Sequence, residues 1–248
     1  MTTDPRPMTA DPHSEPGPAI RRNRVLAVLA LVALLLLPLT AMTRQTGTMT
    51  YYLGQDYPPG QSAYIMMRVA GHLAYTLVFL QIVLGLLHRP LQRALGLGPL
   101  LSVHRSVGLA AFLLALSHPI LFEWARQLRT GQSTITATFW PPIDHGFYEL
   151  HQFFGAMGLY LLLIGVLAGV YGPRLAPKAW RAVHAVNYMV FFLVWYHSLR
   201  IGTSTRIGML PVLYTVLAAV VVGLTLQRLR RRTGSRFPEG LTSRDARR

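Results

Sequence analysis

HRSVGLAAFLLALSH, residues 104–118, and HAVNYMVFFLVWYH, residues 184–197, decide how this chain is read. Each is an apolar run with a histidine at both ends. At about 1.5 Å rise per residue, a helix sets the two imidazoles of each run roughly 20 Å apart. Ionisable side chains are expensive inside a bilayer, so four of them at matched depths on two helices mark a functional site. If both helices run the same way, His104 faces His184 at one level and His118 faces His197 at the other.

Composition supports a membrane setting. The 248 residues are 52% hydrophobic and only 13% charged, which lies outside the usual soluble range. Cysteine is absent, which excludes disulfides, thiolate-ligated haem, iron–sulfur clusters and covalent haem attachment in this chain. The net charge of +15 sits mostly on arginines near the ends of apolar segments and in tails. Topology accounts for it, and no nucleic-acid partner is expected.

Residues 1–24, with Pro5, Pro7, Pro12, Pro16 and Pro18, have no apolar periodicity and are expected to form a disordered tail. Six apolar segments follow at about 25–43, 63–87, 100–126, 146–170, 180–201 and 208–226, each close to the length that spans the hydrocarbon layer. Arg21, Arg22 and Arg24 precede the first, which reads as a retained anchor because its cleavage signal is weak. The expected fold class is all-α, a six-helix transmembrane bundle over residues 25–228, followed by a basic tail at 229–248. Arg89, Arg93 and Arg105 lie between the second and third segments, Arg174, Lys178 and Arg181 between the fourth and fifth, and an RLRRR run follows the sixth. The excess of cations orients these loops and both termini to the cytoplasm, in a multi-pass protein of the cell's inner membrane. On the opposite side Arg44, Arg126, Arg129, Arg200 and Arg206 are offset in part by Asp56, Glu123 and Asp144.

With this orientation the third and fifth segments both run outward, and two haems, each ligated by two histidines, are expected between them. On an ideal helix Gly108, Ala111, Ala115 and His118 lie within about 40° of the direction of His104. That low-relief stripe suits a flat macrocycle, although close helix packing in membranes also selects small residues. The fifth segment fits less neatly. Thirteen steps turn the direction from His184 to His197 by about 140°, so either the helix is distorted or the outer ring is approached from another side. The His184 face carries Tyr188, Phe191 and Trp195, which suit a ring or neighbouring helices alike.

Other polar residues surround the four histidines. Arg68 lies inside the second apolar segment, where an unpaired cation is costly, and is expected to meet an outer haem propionate. Arg105, Arg181 and Arg200 stand one to three residues from a histidine, as propionate partners or as ordinary positive-inside and interfacial cations. His72, one turn from Arg68, reads as a hydrogen-bond partner, a quinone contact or an additional ligand, and His151 has the same alternatives. Asp144, His145, Glu149 and His151 fall within eight residues, as a metal-acceptor site or simply a polar loop entering a helix. His13 and His88 read as tail and boundary residues.

The stretches HRSVGLAAFLLALSHP and WRAVHAVNYMVFFLVWYHSLRIG resemble the ferric reductase-like transmembrane domain, a superfamily of ferric reductases, NADPH oxidase membrane cores and the haem subunit of the bacterial methionine sulfoxide reductase system. The resemblance covers about residues 63–228, and its most specific part is the paired spacing, 13 residues between the first two histidines and 12 between the second two. It implies two haems b, the inner on His104 and His184 and the outer on His118 and His197. It also implies an oxidoreductase component rather than a complete enzyme, because no stretch after the sixth segment has the length of a flavin and nicotinamide domain. Electrons are then expected from a separate donor, a flavoprotein or quinol, with quinone or a partner's flavin as further cofactors. The acceptor is expected to be a periplasmic or extracellular reductase, a ferric chelate or a quinone. The competing reading is a proton or metal-ion transporter that uses the intramembrane histidines as a relay or as ligands. Broken helices and an internal repeat would favour it, and neither is legible in the sequence.

Overall fold

Glycine and proline set the ends of the helices. The computed structural model describes residues 18–46, 58–144 and 146–234. The tail at 1–17, the loop at 47–57, His145 and the basic end from 235 lie outside them, and so does His13. In chain order the helices are α1 (Pro18–Thr46), α2 (Gln61–Leu86), α3 (His88–Leu95), α4 (Leu97–Thr130), α5 (Ile135–Phe139), α6 (Phe147–Tyr171), α7 (Pro177–Ile201) and α8 (Leu210–Gly234). A 3-10 turn, Gly172–Arg174, joins α6 to α7, and no strand occurs among the described residues. Gly96 separates α3 from α4 with a backbone φ of 83°, and Gly131 ends α4 at 69°. Both lie in the left-handed region that glycine enters without penalty.

Four helices are long and apolar enough to cross a membrane: α2, α4, α6 and the stretch Leu210–Arg231 of α8. The chain is therefore a multi-pass membrane protein. The segments expected at 25–43 and 180–201 are helical too. In α1 the continuously described side chains, Leu31–Arg44, form an apolar stretch. In α7, Lys178, Arg181, His184, Asn187, His197 and Arg200 dilute the apolar run. Large apolar side chains point outward from the bundle, among them Leu109, Leu113 and Ile120 of α4, Leu163 and Leu167 of α6, and Val212 and Val216 of α8. In water such a surface would be a liability; against lipid it is the ordinary exterior.

The interior is built on α2, the most deeply buried of the spans. Tyr75, Val78, Phe79 and Ile82 of α2 meet Val190 and Phe191 of α7, and Leu210, Tyr214, Leu217 and Val221 of α8. Tyr75 stacks on Tyr214 with ring centroids 4.0 Å apart and on Phe191 at 5.2 Å. Two close helix pairs dominate the architecture, α2 against α4 and α6 against α7. Within the second pair Gly158 faces Val194, and a Cβ there would come within 2.7 Å of its Cγ1. The two helices that carry the paired histidines, α4 and α7, belong to different pairs and are not closely packed on each other. A gap therefore runs between the pairs, and the histidines face it.

Candidate functional site

One end of the gap, the outer one in the orientation expected from the sequence, is a cavity of about 370 Å³, lined among others by Arg68, His72, His118, Gln152, His197 and Tyr214. His118 and His197 enter it from α4 and α7. His118 donates a hydrogen bond from Nδ1 to the Met67 carbonyl of α2 at 2.9 Å, and His197 donates from Nδ1 to the His151 carbonyl of α6 at 2.7 Å. Using Nδ1–H in this way leaves Nε2 of each imidazole as the free lone pair. Both rings rest on glycine. A Cβ on Gly71 would lie 2.8 Å from His118 Nδ1, and one on Gly155 would lie 2.7 Å from His197 Nδ1. The 140° turn along α7 has its explanation here: α7 runs unbroken, and His197 lies against α6 at Gly155.

At the inner end His104 and His184 face each other directly, with ring centroids 5.9 Å apart and planes inclined by 46°. Two imidazoles that share one metal ion at about 2 Å per bond have centroids about 6 Å apart. Trp180, one turn before His184, stacks flat on it at 4.9 Å and 13°. Asn187 donates to the His184 carbonyl at 3.0 Å, while His184 Nδ1 is buried with no hydrogen-bond partner. Among the described residues no three His, Cys, Asp or Glu side chains are grouped so that they could hold a metal ion, although His72 lines the same cavity as His118 and His197. The acceptor cluster read around Asp144 does not assemble among the described residues, and its His145 lies outside them.

The remaining sequence-predicted residues separate by location. Arg68 lines the cavity, and its Nε donates to Ser204 Oγ at 2.7 Å. His72 is buried and hydrogen-bonded through Nδ1 to the Tyr214 hydroxyl at 2.7 Å. His151 is buried and donates from Nδ1 to the Phe147 carbonyl at 2.5 Å, so its Nε2 accepts from Arg200 Nε at 3.3 Å. Its link to the outer pair is its backbone carbonyl rather than its ring. Arg200 lies over the Phe147 ring at 4.9 Å and does not line the cavity. Arg105 and Arg181 are exposed at the inner end. His88 donates from Nδ1 to the Gly85 carbonyl at 3.1 Å, at the end of α2.

Two features were not read from the sequence. One is the pair of glycine seats, Gly71 and Gly155, each four residues after the residue whose carbonyl holds the imidazole. The signal was present as a glycine inside an apolar helix, but nothing in one helix says which histidine of another will rest on it. The other is the cover over the outer cavity. Thr138 and Phe139, on α5, line the cavity, and Glu123 of α4 holds their segment through Ser133 Oγ at 3.1 Å, Thr134 Oγ1 and Thr138 Oγ1 at 3.0 Å, and the Thr134 backbone N–H. Gln152 and Tyr160 of α6 hold it from the far side, through the Thr138 carbonyl at 3.3 Å and the Phe139 carbonyl at 2.5 Å.

Comparison with known proteins bears on the same region. The family model described as ferric reductase like transmembrane component matches residues 70–195, which include His72, His104, His118 and His184. No curated protein and no solved structure matches the chain.

Proposed function

The chain belongs to the family of ferric reductase-like transmembrane components, and from that premise we propose that it is a b-type cytochrome, the membrane subunit of a reductase. In this reading it holds two haems b and carries electrons from a cytoplasmic or quinol donor to an acceptor on the outer side. Six helices, α1, α2, α4, α6, α7 and α8, cross the cell's inner membrane as one bundle, with both termini in the cytoplasm. The exposed Arg89, Arg93, Arg174 and Lys178 on one side support that orientation.

The observation that carries the proposal is the arrangement of the α4 and α7 imidazoles: one from each helix at each level, on helices that leave a gap between them. Zinc or another ion held by protein alone needs a third and fourth donor. A macrocycle brings four of its own and asks the protein for two, which suits these pairs. When bound, haem would supply a one-electron couple, and imidazole pairs of this kind would suit it to electron transfer. His104 and His184 would hold the inner haem, and His118 and His197 the outer. Arg68, steadied by Ser204, supplies the cation for an outer propionate. Arg105 and Arg181 serve the inner propionates and the topology together. His72 and Tyr214 close the deep wall of the cavity as a hydrogen-bonded pair, and Arg200 steadies the turn whose carbonyl backs His197.

The donor is assigned to a separate flavoprotein or to quinol. The acceptor is a periplasmic or extracellular reductase or a ferric chelate. A dithionite-reduced minus oxidised spectrum of the purified chain, with extracted haem counted per polypeptide, tests the core of the proposal. About two non-covalent haems with a low-spin b-type spectrum are expected. A well-folded preparation made with ample haem and still colourless would sink the proposal and bring forward cation transport through the histidines.

A further inference from the structure

The two levels differ in how their imidazoles are backed. A helical carbonyl accepts one hydrogen bond from the N–H four residues on and keeps a second lone pair. At the outer level His118 takes that second lone pair on Met67 and His197 takes it on His151. The residue four positions on, whose side chain would stand in the way, is glycine in both cases: Gly71 and Gly155. At the inner level His184 Nδ1 is buried and has no partner. A ligating histidine that donates its other ring N–H to a carbonyl is held in orientation and is a more basic metal ligand.

Resting on the haem reading above, we propose that Gly71 and Gly155 are positioning residues that make the two centres chemically unequal: they seat the outer imidazoles on helix carbonyls and so give the outer iron stronger axial donors. Stronger donors favour the oxidised metal and lower its reduction potential. Arg68 at the same cavity acts in the opposite sense, since a nearby cation favours the reduced state. The test therefore reads the change caused by a substitution, not the order of the two potentials.

Gly71→Ala and Gly155→Ala each force a ring away from its carbonyl. Gly85→Ala on α2 and Gly169→Ala on α6 are controls on the same helices, because an added Cβ meets nothing within 4 Å at either. Each variant, purified with ample haem, is read by haem count, by the low-spin electron paramagnetic resonance signals of the two centres and by redox titration. The seat variants are expected to raise the potential of the outer centre or abolish its low-spin signal, leaving the inner centre and both controls as in the wild type. An outer centre unchanged in both seat variants, or an inner centre that changes instead, overturns the proposal. If the seat variants fail to fold, the wild type still decides. Pulsed resonance before and after exchange into deuterated buffer reads the imidazole Nδ1 protons, and equal hydrogen bonding at the two centres overturns the proposal, whereas strong bonding confined to the outer one upholds it. A wild type with two haems and equivalent ligands sinks this inference alone. A wild type without haem sinks the haem reading first and this inference with it.

Discussion

Glu123 illustrates what a single side chain does here. Its carboxylate is buried and takes hydrogen bonds from Ser133, from Thr134 twice and from Thr138. In the sequence it counted only as an acid offsetting outer arginines, because its donors arrive 10 to 15 residues later in an irregular segment. Glu123→Ala would leave those donors without an acceptor, at a cost of about 3 kcal/mol. A lower thermal midpoint in detergent is expected, with Glu123→Gln falling between the two because it keeps one acceptor oxygen. The histidines were legible for the opposite reason: an imidazole inside an apolar run has no cheap explanation. Replacing His104 or His184 by alanine is expected to remove the inner haem and keep the outer one. Two haems retained in both variants would show the ligand assignment to be wrong.

At the scale of elements, all six apolar runs are helical, since hydropathy and the glycine and proline breaks are local signals. The short helices α3 and α5 and the pairing of helices were not legible, because which face meets which depends on side chains far apart in sequence. The rotation problem on α7 came from imagining both of its histidines aimed at α4. With α6 beside it, an unbroken helix sets His184 against His104 and seats His197 on Gly155 of α6, where it still lines the cavity that His118 enters. The same pairing explains the glycines of α6. Gly158→Leu would drive α6 and α7 apart, since even a Cβ would sit 2.7 Å from Val194 Cγ1. Overpacking of this kind costs about 1–3 kcal/mol, and the expected result is a lower thermal midpoint together with a disturbed outer centre. The same change at Gly169, where nothing lies within 4 Å, is expected to be silent.

For the whole molecule, the bias of basic residues makes a topology prediction that the chain's own chemistry helps to test. Because cysteine is absent, a single introduced thiol is the only one to label. Gln92→Cys on α3 and Gln132→Cys after α4 are both at exposed positions, at opposite ends of α4. An impermeant maleimide added to intact cells is expected to label the second and spare the first, and the reverse pattern would invert the topology. The gap between the two helix pairs also bears on the order of manufacture. Each pair is made of neighbours along the chain, α2 with α4 and then α6 with α7, so each hairpin can form as it leaves the ribosome. The half-sites on the first hairpin are in place before their counterparts have been synthesised. In the proposed reading, loading then has to wait for the second hairpin, and a chain starved of haem is held together only by the core that α2 shares with α7 and α8, the state that a membrane protease would meet.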